Sequence, residues 1–357
     1  MNLPILSVVI PIFNSADTLD TIVSRILTQP FEDLELILVD DGSTDNSLSI
    51  INGYNEQDPR VVVVSQENSG SPSGGRNTGI ARARGQFVMF LDSDDDIDPS
   101  MIGTLLREIQ ETNVDLVTCG VQVIQSRENG QDQVIYQGVT PTPKQLETED
   151  FRTYIIRLMG NDSRLYNPIN KIFRASIIKE HNLRYLEDLD YGEDFVFNLG
   201  YLKHTDRIAF VYEPFYIYLL NPATGTSSRS SLVYENRQRC YQYLLEFASG
   251  SSNQALPDLL TWIKLQWLYG YATAISGSHL NRQDKLENLR RAIKSEKLVR
   301  PKRLKYIGYQ KYLTASVIRF AARNARLLLS FASISSSLSS SRLFTGTWRK
   351  MADKVAS

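Results

Sequence analysis

Five short runs of apolar and β-branched residues, at 5–10, 34–39, 61–64, 86–91 and 115–118, punctuate the first 120 residues and are separated by segments of helical period. Runs this apolar belong to strands covered on both faces, and the spacing between them leaves room for crossover helices. The pattern therefore constrains the chain to an α/β fold with a mainly parallel sheet. Helical spacing is clear at Leu19, Ile22, Val23, Ile26 and Leu27. A second helix is expected where Asp98-Pro99 would supply an N-cap and a first-turn proline ahead of Met101, Ile102, Leu105, Leu106 and Ile109.

The 357 residues give room for one large domain or two ordinary ones, and 42% hydrophobic with 22% charged is a soluble globular composition. Basic and acidic residues nearly cancel, 39 against 40, which removes any whole-chain electrostatic case for a nucleic-acid partner. Cys119 and Cys240 have no metal-ligand spacing and read as reduced thiols, with a disulfide still open. His181, His204 and His279 likewise show no ligand spacing and are expected to be structural or surface residues. The start lacks the pattern of a signal peptide and no apolar run approaches the roughly 18 residues of a membrane span, so a cytoplasmic protein is expected.

Pattern strength divides the chain. Residues 1–223 are expected to form the α/β domain, even though 122–150 turn polar and contain Gly and Pro. A Ser/Thr/Gly-rich linker is expected at 224–231 and a helical region at 232–357, where Leu259, Ile263, Trp267 and Tyr271 form an apolar stripe. Residues 330–341 are mostly serine.

Ligands of open parallel sheets bind beyond the carboxyl ends of the strands, and there this sequence puts aspartate. The first run is followed by Pro11-Ile12-Phe13-Asn14, the second by Asp40-Asp41-Gly42-Ser43, and the fourth by Asp92-Ser93-Asp94-Asp95-Asp96. Neither the glycine fingerprint of a dinucleotide fold nor the Gly-Lys-Ser/Thr ending of a phosphate loop is present. Four carboxylates in five residues repel one another unless a cation joins them, and Mg²⁺ or Mn²⁺ held by one or two carboxylates plus a diphosphate is the natural occupant. An exposed acidic turn capping the next helix uses the same residues.

Taken in order, Ser7-Val8-Val9-Ile10-Pro11-Ile12-Phe13-Asn14, Val39-Asp40-Asp41-Gly42-Ser43-Thr44-Asp45, Gly75-Arg76-Asn77-Thr78-Gly79-Ile80 and Phe90-Leu91-Asp92-Ser93-Asp94-Asp95 resemble the nucleotide-sugar glycosyltransferases of family 2. The resemblance spans most of the first 220 residues and implies the GT-A fold. It also implies that Asp41 meets the nucleotide base and that Pro11, Asn14 and Ser93 line the nucleotide side. Asp92 and Asp94 would form the Asp-x-Asp element at ribose and metal, with Arg76 near the base or diphosphate. Tyr191-Gly192-Glu193-Asp194-Phe195, following Asn170-Lys171-Ile172-Phe173, resembles the family's acidic pair, with Asp194 as general base beside Glu193. Glu193 and Asp194 also suit the first turn of a helix. The arginine expected after Tyr216-Ile217-Tyr218 in the family's lid is missing, and Arg229 is the nearest substitute.

From Lys297 to Arg326 the chain carries nine basic residues and no acidic one, and Leu313, Val317, Phe320, Ala321 and Leu328 share a helical face. Residues 297–330 suit an anionic surface at the inner face of the cell membrane, and equally a core-facing helix with a solvated basic side. The resemblance implies an inverting, metal-dependent transferase that moves a sugar, UDP-linked, to a hydroxyl of a glycan or lipid-linked glycan in surface polysaccharide synthesis. A catalytically silent nucleotide-sugar or glycan-binding protein is the alternative from another class. A nucleotidyltransferase would need a Gly-rich basic loop after the first strand, where Pro11 to Asn14 stand instead.

Overall fold

A computed structural model of the chain describes residues 3–29, 31–126, 132–137, 150–161, 165–189, 191–220, 233–254 and 256–295. These divide into two units, one made of residues up to 137 with 165–220, the other of 150–161 with 233–295.

The first unit begins with β1 (Leu6–Ile12), α1 (Leu19–Leu27), β2 (Leu34–Asp40), α2 (Ser47–Gln57), β3 (Val61–Ser65), α3 (Pro72–Arg82) and β4 (Phe87–Phe90). It continues through β5 (Asp96–Ile97), α4 (Met101–Thr112), β6 (Leu116–Thr118), β7 (Val121–Ser126) and β8 (Asp132–Gln137). After α5 (Phe151–Asn161), which belongs to the second unit, come β9 (Lys171–Arg174), α6 (Ala175–Glu180), α7 (Glu193–Leu202), β10 (Ile208–Phe210) and β11 (Tyr216–Leu220).

The larger sheet has the order β10-β6-β9-β4-β1-β2-β3. Its β1/β2, β2/β3, β1/β4 and β6/β10 pairs are parallel, and only β9 runs antiparallel to both its neighbours. This is the mainly parallel α/β sheet that the apolar runs required.

Alternation along β1 sends its side chains to two different layers. Leu6, Val8, Ile10 and Ile12 join Leu19, Ile22, Val23 and Ile26 of α1 and Met101, Ile102, Leu105, Leu106 and Ile109 of α4 in one buried core. Each such side chain contributes about 2 kcal/mol relative to exposure. On the other face Val9 meets Gly79 of α3, where any Cβ would collide with the valine methyls. Phe90 and Phe173 on that face pack edge to face with Phe197 of α7 at 5.7 Å.

Three local expectations shift. The first strand runs on to Ile12, so Pro11 lies within it; Leu91 N–H donates to Val9 O, and Pro11, two residues later, needs no donor because β4 has ended at Phe90. The helix after Pro99 starts at Met101, and Asp98 instead folds a turn by accepting from the N–H and hydroxyl of Ser100. The polar stretch from 122 contains most of β7 and all of β8, which belong to a second sheet of order β5-β11-β7-β8.

In the second unit α5 packs with α8 (Val233–Ala248) and α9 (Leu256–Gly277), and α10 (Arg282–Ser295) closes on α9. The sequence pattern alone keeps 151–161 with the first domain. Arg152 ties it to the helices instead, donating to Phe247 O at 2.7 Å and lying over that ring. Leu259, Ile263 and Tyr271 of the apolar stripe are buried. No helix among the described residues is long and apolar enough to cross a membrane. Residues 224–231, Arg229 and 297–330 lie outside the described residues.

Candidate active site

Loops at the carboxyl ends of β1, β2 and β4 meet on one edge of the sheet because the strands run parallel and in register, Pro11 beside Val39 and Val9 beside Phe90. The β1 loop is tied to the β2 loop through Asn14. Its Oδ1 accepts from Thr44 N–H at 2.8 Å and from Asp45 N–H, and its backbone takes φ +52, which asparagine tolerates better than most residues. Gly42 turns at φ +75, and a Cβ there would stand 2.8 Å from Asn68 N, so only glycine lets the 66–71 segment pass this close.

Asp41 is buried and holds that segment. Its carboxylate accepts from Gln66 Nε2 at 2.5 Å, Ser69 N at 3.1 Å and Ser69 Oγ at 2.8 Å. Thr78 donates to Gln66 Oε1, which aims the amide nitrogen at Asp41. Three donors against roughly four acceptor positions leave room for one more.

The acidic turn after β4 splits in two. Asp95 is buried, accepting from the Tyr216 hydroxyl at 2.5 Å and from Leu219 N–H at 3.0 Å, and burial followed by the charge of Asp92 pushes it up to about 8. Asp96 accepts a two-pronged contact from Arg25. Ser93 is buried too, its hydroxyl 2.7 Å from that of Ser15. Asp94 is left exposed and Asp92 partly so. Desolvation and then the charge of Asp92 push the Asp94 carboxyl above its ordinary range.

Helix α3 crosses this edge, Gly75 set against Pro11 so closely that a Cβ would come within 2.8 Å of the proline Cβ. Arg76, only 3% exposed, projects from α3 with Nη2 2.7 Å from Asp92 Oδ1 and Nη1 2.9 Å from Asp194 Oδ1. Burial opposes its charge, but Asp194 and Asp92 outweigh burial and raise its pKa. Asp194 stands with Glu193 in the first turn of α7, after Gly192 at φ +90. Burial pushes Asp194 up to about 7 against the pull of Arg76, with Glu193 and Asp92 adding repulsion; burial also raises Glu193.

Of the residues singled out from sequence, the structure thus draws Arg76, Asp92 and Asp194 into one bonded group, with Asp94 beside Asp92 and Glu193 beside Asp194. Asn14, Asp41 and Ser93 sit on the same edge and hold its loops, Asp41 with one acceptor position left, while Pro11 packs against Gly75 of α3. Tyr185 was not legible as a site residue; its ring lies 5.4 Å beneath the Arg76 guanidinium and stacks on Phe197 at 4.2 Å. Its only sequence signal was an aromatic residue shortly before the acidic pair. Asp188 lies nearby in the chain, and Asp190 is outside the described residues.

Among the described residues no three acidic, histidine or cysteine side chains converge as a metal site. Asp92 and Asp94, two mutually repelling carboxylates at an open edge, do fit Mg²⁺ or Mn²⁺, which complete their shells with phosphate oxygens and water.

Residues 7–181 match the model of glycosyl transferase family 2. The chain is 28% identical to the uncharacterized glycosyltransferase EpsJ of Bacillus subtilis over 85% of its own length and 91% of that protein's. It is 31% identical to the uncharacterized glycosyltransferase YibD of Escherichia coli over 66% of itself and 67% of YibD. It is 30% identical to the poly(ribitol-phosphate) beta-glucosyltransferase of Bacillus spizizenii over 60% of itself and 32% of that enzyme. Among solved structures, S. aureus TarS 1–349 in complex with UDP-GlcNAc superposes with a TM-score of 0.64 at 20% identity, covering 94% of this chain and 92% of TarS 1–349. That likeness carries the GT-A fold.

Proposed function

We propose that this chain, which belongs to glycosyl transferase family 2, is an inverting transferase that moves a sugar from a UDP-sugar to a hydroxyl of a glycan or lipid-linked glycan. The observation that carries it is the Arg76 bridge. It brings Asp92 of the metal-binding turn and Asp194 of α7 onto one guanidinium, so a donor site and a base face the same space.

Asp92 and Asp94 would hold the metal, and Asp41, Pro11, Asn14 and Ser93 would frame the nucleotide. The remaining acceptor position on Asp41 suits an imide N–H of uracil. Asp194 takes the proton of the incoming hydroxyl, with Glu193 beside it. Attack from the side of Asp194, opposite the diphosphate, inverts the anomeric configuration. A bound Mn²⁺ or Mg²⁺ would neutralise charge developing on the departing diphosphate.

UDP is supported by the UDP-GlcNAc in the TarS structure, and a setting in surface polysaccharide synthesis by the poly(ribitol-phosphate) relative. Placement in the cytoplasm with 297–330 on the inner membrane face rests on the basic amphipathic sequence alone.

The test incubates the full chain with a panel of nucleotide-sugars, Mn²⁺ and a glycolipid extract, and follows release of nucleoside diphosphate. Turnover of a UDP-sugar that Asp94→Ala abolishes and Asp194→Asn cuts to a small residual rate is expected. Tight UDP-sugar binding without turnover under any acceptor would instead establish a silent binding protein.

A further inference from the structure

Resting on Asp194 as the base, we propose that Arg76 and Asn77 are positioning residues that join the base-bearing helix to the donor-side helix and so fix the base relative to the metal-binding turn. The two neighbours on α3 reach α7 by separate routes. Arg76 goes directly, through its bond to Asp194. Asn77 goes through Tyr185: its Oδ1 accepts from Tyr185 N–H at 2.8 Å, and its Nδ2 donates to Tyr185 O at 3.0 Å. One amide thereby satisfies both backbone groups of Tyr185, as a neighbouring strand would. Asn77 Nδ2 also donates to Glu187 Oε1 at 2.8 Å, and Arg184 Nη1 donates to Asn77 O at 3.3 Å, so the 184–187 segment is pinned along its length.

The ring of Tyr185 then passes the constraint on. It lies under Arg76 and stacks nearly parallel on Phe197, one turn along α7 from Asp194. At the other end α3 cannot drift, because Gly75 and Gly79 seat it against Pro11 and Val9 of β1. A planar guanidinium has a fixed span between its nitrogens, so Asp92 and Asp194 are held at a separation that a lysine would not define. Misplacing a reacting group by about 1 Å costs on the order of a hundredfold in rate, which is what this joint would prevent.

The experiment compares full-length wild type with Asn77→Ala and Asn77→Asp, the second keeping the acceptor for Tyr185 N–H. Hydrogen exchange is read across 183–202, UDP affinity is measured with Mn²⁺, and turnover uses the donor found in the panel. Expected for Asn77→Ala are faster exchange at 183–202, UDP affinity within about twofold of wild type, and kcat reduced by about 10- to 100-fold. In an Asp194→Asn background the same change should cost less than about twofold more, because both act on one step. Asn77→Asp should fall between wild type and Asn77→Ala. Unaltered exchange at 183–202, a loss of UDP affinity as large as the loss of kcat, or fully additive losses would each overturn the proposal. Undiminished turnover in Asp194→Asn would remove the base assignment alone, and the exchange and UDP measurements would still decide whether Asn77 couples the two helices.

Discussion

The Tyr216 hydroxyl donates to Asp95 Oδ2 at 2.5 Å inside the protein, pinning the acidic turn after β4 to the first residue of β11. With Leu219 N–H on the other oxygen, Asp95 acts as a brace. Asp96 braces the opposite side through Arg25. Asp95 and Asp96 therefore hold the shape of the turn, and Asp92 and Asp94 are its proposed cation ligands.

Tyr216→Phe should destabilise the protein by about 1–3 kcal/mol, the cost of leaving a buried acceptor without its donor. Urea unfolding of the two proteins measures it directly. A phenylalanine variant as stable as wild type would show that the hydroxyl is not a brace.

Chelation with EDTA should weaken UDP binding, and Mn²⁺ or Mg²⁺ should restore it. Asp94→Ala should lower UDP affinity in Mn²⁺ by about tenfold or more, roughly 1.4 kcal/mol. Asp96→Asn should not, since its carboxylate is turned to Arg25. Titration calorimetry with and without metal separates the two, and equal losses in both variants would contradict the division of the turn.

Sequence pattern was enough to find β1 to β4 and β6, because runs such as 36–39 are apolar on both faces. It also located the acidic residues, since carboxylates directly after strands are conspicuous. It did not reveal which of them pair with protein: Asp92 and Asp95 look alike in sequence, and only the arrival of Tyr216 and Arg76 from distant segments tells them apart. The β7–β8 pair was hidden for a different reason. Only Val121-Gln122-Val123 alternates in β7, and so short an alternation is easily lost among polar neighbours.

Donor turnover should rise with pH through a range well above that of an ordinary aspartate. As the proposed base Asp194 would act only when ionised, and burial with the repulsion of Glu193 and Asp92 pushes it up to about 7 despite Arg76. Below that pH the ionised fraction, and with it kcat/KM, should fall about tenfold per unit. A pH–rate profile taken at saturating Mn²⁺ checks this. An acid limb near 4 would mean that Arg76 prevails over burial.

Asp115 should make stability, rather than turnover, depend on pH. Its Oδ1 accepts from Arg174 Nε at 2.7 Å and Arg207 Nη2 at 2.6 Å, and its Oδ2 from the Thr205 hydroxyl at 2.7 Å. Burial acts to raise its pKa, but Arg207, Thr205 and Arg174 together hold it below the ordinary value of 3.8. A depressed carboxylate stabilises the fold fully above its unfolded pKa and loses that contribution as pH drops through the folded one. Asp115→Asn should therefore cost about 2 kcal/mol at pH 7, a figure kept modest because Arg207 is half exposed. The gap between the two proteins should narrow once pH falls below about 4, where the wild-type carboxyl begins to take up its proton in the unfolded chain. Urea unfolding at neutral and acidic pH gives both values, and a gap of constant size across that range would rule out the ionised Asp115 as its source.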